Sequence, residues 1–555
     1  MAAKEQQIEE QWLVRVLEAL NAFNRLVTGQ KQNLDAEIEE FWKVYDPHDK
    51  GQNAEALYKA ALLESLSLKT KLSALALKKP YFARVDFKED GMSRPESIYL
   101  GKMAVYGSSE APLPLVADWR APVASLYYDG RLGEAAYDCP DGRVTGEISL
   151  KRQYIIENAR LKEFFDIDIT ANDEFLQLAL GSSKDKRLKD IVSTIQAEQN
   201  QIIRADMHGP VIVQGAAGSG KTTIALHRIA YLLYNYEKRL APYNVLVVAP
   251  NRYFLSYISE VLPDLGVENV KQTTFEDFAF SFIEKRLKIK EGWEKLAYLL
   301  SNPPDAALVR RVSRIKSSLW FKKIIERYIE KLTLNLLPGR DFDLCGHVLR
   351  SKGEIRRLYC QDYAFLPILK RAVELRKYMQ SSLKKRKPEL LEDIEAYYEK
   401  EASRIKRRFL EGSAERREEL TRLYNQRDGE IEILTKKSSG LISDYLKKIK
   451  PKTAYEYYRA FFEDADLFYG CTNGIIKPED AQAVRDLSLK ALEGGGCEAE
   501  DLAPIMLLHY ALDGNAGFDI RHIVIDEAQD MSLFQIDMLK TLMNTGSFTI
   551  LGDLC

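Results

Sequence analysis

A short glycine-rich stretch carries the clearest chemical signal in the sequence. Residues 215–222, GAAGSGKT, match the pattern G-x-x-x-x-G-K-[ST], and they stand between the apolar run VIVQ and a stretch of helical periodicity. Backbone N–H groups of such a loop point inward at phosphates, and the dipole of the following helix adds to the attraction. The pattern predicts that Lys221 contacts the β- and γ-phosphates of ATP and that the Thr222 hydroxyl binds Mg2+. The whole predicted nucleotide-binding loop is Gly215, Ala216, Ala217, Gly218, Ser219, Gly220, Lys221, Thr222 and Thr223.

Two adjacent carboxylates supply the complementary chemistry. The stretch HIVIDEAQD, residues 522–530, is an apolar strand pattern that ends in Asp526 and Glu527. An apolar run that ends in Asp-Glu is common and mostly structural by itself, but its combination with a phosphate loop indicates an ATP-using machine. We predict that Asp526 holds the metal through water and that Glu527 orients and deprotonates the attacking water. With Lys221, these two residues form the predicted catalytic set.

These motifs together resemble those of superfamily 1 helicases of the UvrD/Rep type. Gln199, in AEQNQIIRA, lies about where that family places its adenine-reading glutamine. The stretch VLVVAPNRYF (245–254) resembles the motif that contacts single-stranded DNA, and TTFEDFA (273–279) resembles the motif that follows it. The terminal ILGDLC is similar to G-D-x-x-Q, which in that family senses the γ-phosphate and joins two motor domains.

The last residues lead us to expect a truncated chain. The sequence stops inside the G-D-x-x-Q pattern, before its glutamine. In the family that it resembles, ATP is hydrolysed between two RecA-like domains. We therefore expect the second motor domain, its arginine finger and its adenine-stacking aromatic residue to be missing, so that this chain binds nucleotide weakly and hydrolyses little. The strand at 547–551 would then form an exposed sheet edge that favours aggregation and proteolysis.

Alternating strand and helix patterns surround the two motifs. Such alternation predicts an α/β fold, a RecA-like P-loop NTPase domain whose parallel sheet is covered by helices on both faces. We assign this incomplete motor domain to 207–284 and 515–555. The alternation breaks near 285, and a long stretch of helical pattern over 285–514 predicts a helical insertion arm, with a coiled-coil-like part in its middle.

Three further ranges precede the motor domain. Apolar residues at helical spacing on both sides of DPHDKGQ predict an antiparallel helical hairpin over 1–79. Alternating patterns over 80–158 predict a small antiparallel β module, and 159–206 is predicted to be a helical connector that carries the glutamine motif. Asp46 and Asp49, at the hairpin tip, have two interpretations: ligands for a partner's catalytic Mg2+, or residues that build the turn.

Composition excludes several classes of protein. The 555 residues have a formal net charge of −2, so overall charge does not indicate nucleic-acid binding and any basic surface is local. Six scattered cysteines without a CxxC pair fit reduced thiols. No apolar run reaches the ~20 residues that a membrane span needs. These features predict a cytoplasmic protein without a membrane association.

The N-terminal ranges add a second resemblance. The hairpin, PYFARVDF, YLGKMAVY, DWRAPVASLYYDG and TIQAEQN resemble the HelD family, helicase-like proteins that associate with bacterial RNA polymerase. This resemblance implies RNA polymerase core as the partner, a hairpin that enters its secondary channel, and a second arm that opens its main channel. It also implies displacement of nucleic acid and recycling of stalled polymerase, with ATP promoting release. Direct nucleic-acid binding by this chain is expected to be weak.

Two other functions stay open. The chain could be a DNA-repair helicase of the UvrD/Rep branch, although such helicases lack the long N-terminal region, or a polymerase-binding module without enzymatic activity. The basic runs 384–387 and 404–408 fit either a partner surface or a solvated helix face that alternates with acidic residues. Trp119 and Arg120 fit either a partner surface or a core. His227, His522 and the CGH stretch at 345–347 are expected to be structural.

Overall fold

A computed structural model describes most of the chain. It covers residues 2–107, 114–129, 131–167, 197–216, 218–284, 287–289, 292–449, 452–515 and 517–553. The residues divide into two compact units. The motor unit, as we call it, comprises 1–274, 519–530 and 545–555, and the helical unit comprises 275–518 and 531–544.

The motor unit begins with the predicted helical hairpin. Helix α1 (Ala2–Lys43) runs antiparallel to α2 (Lys50–Lys78). Near the base, Leu13, Val16 and Leu20 pack with tyrosines of the β module in one apolar core. Farther along, Val27 and Leu34 of α1 meet Leu66 of α2 in a separate small cluster. The outer part of the hairpin is therefore stabilised mainly by its own helix–helix packing.

A six-stranded sheet follows the hairpin. Its strand order is β3-β2-β1-β5-β4, with β6 paired to β5, and all pairs are antiparallel except β2 with β3. The bounds are β1 (Ala83–Glu89), β2 (Glu96–Gly101), β3 (Ala117–Asp118), β4 (Gly133–Cys139), β5 (Gly142–Glu157) and β6 (Arg160–Asp166), with a short helix α3 (Ser125–Tyr128). The sheet confirms the predicted β module. The helix predicted from 159 is wrong over 160–166, where β6 extends the sheet; the rest of that range up to 196 lies outside the described residues.

A buried acid fastens the hairpin to this sheet. Glu9 on α1 is 1% exposed, and it accepts hydrogen bonds from Arg84 of β1 at 2.8 Å and from Arg152 of β5 at 3.0 Å. Because an unpaired carboxylate would be costly at this depth, the two guanidinium groups fix the position of the helix on the sheet.

The second sheet of the motor unit is parallel and confirms the predicted RecA-like fold. Its order is β7-β15-β14-β8-β9. The strands are β7 (Pro210–Gln214), β8 (Val245–Val248), β9 (Lys271–Thr273), β14 (His522–Ile525) and β15 (Phe548–Gly552), and the helices are α4 (Ala197–Arg204), α5 (Lys221–Asn235) and α6 (Arg252–Val261). Every residue of β14 is buried, as expected for a strand with both faces covered.

The position of β15 corrects one expectation. The strand predicted to form an exposed edge lies instead between β7 and β14, and Thr549 and Leu551 are fully buried. Within the described part of the sheet, β7 is an edge strand that pairs with β15, and the Ile212 side chain of β7 is 73% exposed. The sequence pattern identified the strand but not its order, because order depends on pairings between distant segments.

The helical unit consists mainly of long helices. Its helices are α7 (Phe275–Phe282), α8 (Gly292–Leu300), α9 (Ala306–Lys316), α10 (Leu319–Asn335), α11 (Lys352–Arg357), α12 (Ile368–Arg408), α13 (Ala414–Tyr445), α14 (Ala454–Glu463), α15 (Ala465–Thr472), α16 (Pro478–Leu492), α17 (Leu502–Asp513) and α18 (Leu533–Met543). Two short strand pairs, β10 (Lys288–Ile289) with β13 (Gly496–Cys497) and β11 (Phe342–Leu344) with β12 (His347–Arg350), interrupt the helical stretch.

Local signals explain several helix bounds in this unit. Ser413 caps α13 by accepting from the Arg416 N–H, and Thr453 and Glu456 form a capping box at the start of α14. The long helices α12 and α13 pack against each other along buried Leu390, Ile394 and Leu434. The helical unit begins at Phe275, before the predicted boundary at 285. Because the division into two compact units is coarser than the five predicted ranges, the other boundaries of those ranges stay predictions.

Candidate nucleotide site

The predicted phosphate loop connects β7 to α5. Gly218 and Gly220 have φ angles of +79° and +86°, in the left-handed region that favours glycine. A Cβ atom on Gly215 would lie 2.9 Å from the Ser219 Oγ, so a side chain there would disturb the loop. Ala217 lies outside the described residues. Gly218 and Gly220 therefore stand where the backbone conformation favours glycine, which supports the predicted loop.

Lys221, the first residue of α5, reaches back across this loop. Its Nζ donates to the carbonyl oxygens of Gly215 at 3.1 Å and Ala216 at 2.9 Å, and it contacts the Asp553 Oδ1 at 2.5 Å. The Lys221 side chain is 7% exposed, whereas that of Asp553 is 33% exposed. Asp553, just after β15, is therefore the more exposed partner of this ion pair.

Asp526 lies directly after β14, next to the start of α5. The Thr222 Oγ1 donates to the Asp526 Oδ2 at 2.7 Å, and the N–H of Glu527 donates to the other carboxylate oxygen at 3.0 Å. Burial raises the pKa of Asp526 above its usual value, and the hydrogen bond from Thr222 opposes that rise. A hydroxyl and a carboxylate oxygen at this separation fit the ligand preference of Mg2+, so Thr222 and Asp526 would hold the ion.

Glu527 adopts an unusual backbone conformation. Its φ angle is +50°, which is rare for a residue other than glycine, and such positions cluster at functional sites. The Gln529 Nε2 donates to the Glu527 Oε2 at 2.5 Å, while the Gln529 Oε1 accepts from the Asp553 N–H at 3.0 Å. Gln529 thus connects the predicted base to the loop after β15. Sequence reasoning assigned no role to Gln529, which lies in the stretch HIVIDEAQD. It also did not predict that Asp553, in ILGDLC, pairs with Lys221.

The predicted adenine-reading residue lies beside the loop. Gln199 is on α4, and a Cβ atom built on Gly220 would be 3.9 Å from its Nε2. The structure therefore brings Gln199 together with the phosphate loop, and its role toward adenine stays a prediction.

Arg228 is a buried residue of this site that sequence reasoning missed. Fully buried on α5, it donates to the carbonyl oxygens of Ile202, Ile203, Ala205 and Asp206, just at and beyond the end of α4. Its Nε also donates to the Thr549 Oγ1 of β15 at 2.9 Å. Burial lowers the pKa of Arg228 to about 10, which leaves it cationic at neutral pH. Arg228 therefore ties the helix of Gln199 to the strand that precedes Asp553.

Other residues that the sequence singled out are structural in this fold. Burial lowers the pKa of His227 to about 4 and that of His522 to about 3. His227 lies 2.7 Å from the Thr223 carbonyl oxygen and packs edge-on against the buried Trp119. Arg120 forms an ion pair with Asp118 at 2.7 Å. These contacts favour packing over a partner surface for Trp119 and Arg120, and they agree with the structural role expected of His227.

The two acids at the hairpin tip take part in the turn. Asp49 is the N-cap of α2 and accepts from the Gly51 N–H at 2.7 Å, and Asp46 accepts from the His48 N–H at 2.9 Å. Cys345 occupies the tight turn between β11 and β12 with a φ angle of +54°. Among the described residues, no group of three or more His, Cys, Asp and Glu side chains is arranged to hold a metal ion.

The parallel sheet, the phosphate loop and the paired carboxylates define a P-loop NTPase. A family model described as "UvrD/REP helicase N-terminal domain" matches residues 195–554, and one described as "DNA helicase IV HelD, N-terminal domain" matches residues 4–177. Because the first match spans more than half of the chain, the chain belongs to the UvrD/REP helicase family, with a HelD-type N-terminal domain. Both resemblances drawn from the sequence are thereby confirmed.

The similarity to two curated proteins covers a short segment. The ATP-dependent DNA helicase PcrA of Staphylococcus epidermidis is 43% identical over 58 residues, which are 10% of this chain and 8% of that protein. PcrA of Staphylococcus aureus is 41% identical over 58 residues, with the same shares. The chain thus spans 8% of the length of these relatives. In the part of the chain that the structure describes, no helix has the length and apolarity to cross a membrane.

Proposed function

We propose that this chain binds ATP and Mg2+ and acts as a HelD-type remodeller of bacterial RNA polymerase. The observation that supports ATP binding is the convergence of Lys221, Thr222, Asp526 and Asp553 at the carboxyl ends of three neighbouring strands, β7, β15 and β14. Lys221 would contact the phosphates in place of Asp553, and Glu527, held by Gln529, would orient and deprotonate the attacking water.

Replacement of Lys221 tests the nucleotide site. We expect Lys221→Ala to weaken binding of a fluorescent ATP analogue at least about tenfold, because a charge-assisted contact contributes about 1.5–3 kcal/mol. Lys238→Ala, at an exposed lysine of the same unit, is the matched control and should bind normally. Equal affinity of the Lys221→Ala and Lys238→Ala variants would contradict the assignment of the loop.

The proposed polymerase partner rests on the N-terminal hairpin. Its tip exposes large apolar side chains: Trp42 is 55% exposed and Val44 is 73% exposed, and Trp42 packs against Tyr45. Apolar side chains that protrude at the end of a helical arm are typical of a surface that docks on a partner. The match to the HelD N-terminal domain supports the same proposal.

Co-purification with bacterial RNA polymerase core tests this partner. We expect the chain and its Lys221→Ala variant to bind the polymerase, and we expect Trp42→Ser/Val44→Ser to lose binding. Tyr106→Ser/Leu132→Ser, which changes two exposed apolar residues outside the hairpin, is the matched control. Absence of binding by a folded chain, or equal binding by both double variants, would contradict the proposal.

Each of the two alternative functions makes a specific prediction. The match to PcrA favours a DNA helicase, and this function predicts directional unwinding of a partial duplex by a full-length relative with the same N-terminal region. A polymerase-binding module without enzymatic activity predicts that polymerase binding is unaffected by ATP in the same co-purification.

A further inference from the structure

A pocket in the helical unit combines an apolar floor with a cationic rim. Its volume is about 600 Å³, within the range of small-molecule sites. The rim carries Arg340, Lys447, Lys448 and Lys452, with Asp444 as the one acid. The floor is Leu336, Pro338, Tyr445 and Tyr457.

Three helix ends build this pocket. The chain leaves α10 after Asn335 and α13 after Tyr445, and it enters α14 at Ala454. The Tyr445 hydroxyl donates to the Arg340 carbonyl oxygen at 2.7 Å, and the Tyr328 hydroxyl donates to that of Tyr457 at 2.9 Å. These two bonds join the helix ends through buried tyrosines. Arg340 is tied directly to Tyr445, whereas Lys447 and Lys448 follow the end of α13 and Lys452 precedes α14.

The positive charge of the rim exceeds the negative charge that the nearby helix ends and carboxylate supply, although Arg340 and Lys452 each lie 5.9 Å from the ring centre of a floor tyrosine. Lysines near a helix C-terminus commonly offset its dipole, which is equivalent to about half a negative charge at that end. The ends of α10 and α13 therefore account for about one charge together, and Asp444 accounts for one more. Four cations leave an excess of about two positive charges. Within the described residues, none of the four side chains forms an ion pair, whereas Lys316 and Lys322 of the same unit do.

We propose that this pocket binds a nucleotide unit, with its phosphates on the cationic rim and its base on the apolar floor. Lysine ammonium groups bind phosphate as point charges, and Arg340 adds a planar fork that can take two phosphate oxygens. An apolar floor of this kind suits the flat face of a base, whereas a purely inorganic anion would leave it uncovered. The unit can come from a free nucleotide or from a single-stranded nucleic acid.

Hydrogen exchange of the full chain locates the ligand. We expect peptides that span 336–341 and 444–449 to gain protection with sodium tripolyphosphate, ADP or a short 5′-fluorescein-labelled oligo(dT). The Lys221→Ala variant serves as the protein, so that the phosphate loop contributes little. Protection by oligo(dT) alone identifies a strand as the source, and protection by ADP identifies a free nucleotide. If none of the probes protects these peptides, the proposal is wrong.

A pair of lysine variants tests the cationic rim. We expect Lys447→Ala/Lys448→Ala to weaken binding of the protecting probe about tenfold. For oligo(dT), the slope of log affinity against log salt should fall by about 1.4, since each phosphate contact contributes about 0.7. Lys436→Ala/Lys437→Ala removes the same charge from exposed positions on α13 and should change neither quantity. If both double variants weaken probe binding equally, the loss comes from the overall charge of the protein, and the proposed site is wrong.

Discussion

Two lysine–aspartate pairs in this molecule have nearly the same length and opposite surroundings. In the motor unit, Lys221 and Asp553 are 2.5 Å apart, and the aspartate side chain is one-third exposed. In the helical unit, Lys316 and Asp501 are 2.6 Å apart, and both side chains are fully buried. We expect another anion to be able to replace the carboxylate of the first pair but not that of the second.

The remaining partners of the two lysines strengthen this contrast. Besides Asp553, Lys221 contacts the backbone carbonyl oxygens of Gly215 and Ala216, which a bound phosphate need not displace. Lys316 also contacts Glu498 at 3.2 Å, and Asp501 accepts from the Tyr458 hydroxyl at 2.6 Å. Burial alone would lower the pKa of Lys316, but Asp501 and Glu498 raise it above its usual value. Lys221 thus has one partly exposed acidic partner, whereas Lys316 is enclosed by two acids.

The largest effect is expected at the enclosed pair. Lys316→Met should destabilise the protein by about 3–5 kcal/mol, because the buried charge of Asp501 loses its cation. Urea titration followed by far-ultraviolet circular dichroism measures this change. The double variant Lys316→Met/Asp501→Asn removes both charges and should lose less.

A surface pair gives the matched control for this prediction. Lys377 pairs with Glu374 at 2.7 Å with side chains 64% and 40% exposed, so Lys377→Met should change stability by less than about 0.5 kcal/mol. If the Lys316→Met and Lys377→Met variants unfold at the same urea concentration, the buried pair is not the structural element that we describe.

An intermediate effect is expected from a buried histidine of the parallel sheet. Burial, together with the nearby Arg228, lowers the pKa of His522 to about 3, well below the value of about 6.5 in an unfolded chain. The unfolded state therefore binds a proton more readily, so stability is complete above about pH 6.5 and falls as the pH decreases. Between pH 6.5 and pH 5 this group should account for a loss of about 2 kcal/mol.

Comparison of variants isolates that contribution from other titrating groups. We expect His522→Gln to be less stable at neutral pH, since it disturbs contacts with Ser547 and Thr549, but to show a flatter dependence on pH. His347→Gln changes an exposed histidine on β12 and should keep the slope of the original protein. An unchanged slope in His522→Gln would show that the histidine is not buried in its neutral form.

Local sequence patterns were sufficient to predict the nucleotide loop. The glycines of residues 215–220 and the acids that follow β14 are short-range signals, because each depends on the turn that its own residues make. The helical hairpin could be predicted for the same reason, since apolar spacing on two consecutive helices determines which faces meet. The structure bears out the hairpin and places the glycine-rich stretch between β7 and α5, while nucleotide binding by that stretch stays a prediction.

Features that depend on distant segments could not be predicted. The sequence indicated β15 but not its place between β7 and β14, and it continued a helix where β6 pairs with β5. Lys316 and Asp501 are far apart in the chain, so no local pattern relates them. The pairing of Lys221 with Asp553 has the same origin, because it arises only when β15 inserts beside β7.

The smallest effect concerns the exchangeable pair itself. Asp553→Asn removes the carboxylate that competes with phosphate for Lys221 while it retains the shape of the side chain and the N–H that bonds to Gln529. We expect affinity for a fluorescent ATP analogue to increase about fivefold, since a partly exposed ion pair contributes up to about 1 kcal/mol. The gain should shrink at high salt, which screens the original pair.

Asp530→Asn is the control for this prediction: it changes a nearby acid outside the contacts of Lys221 and should leave affinity unchanged. Weaker binding by Asp553→Asn would instead mean that Asp553 supports the nucleotide, for example through its metal, and the contrast between the two lysine pairs would then lie in burial alone.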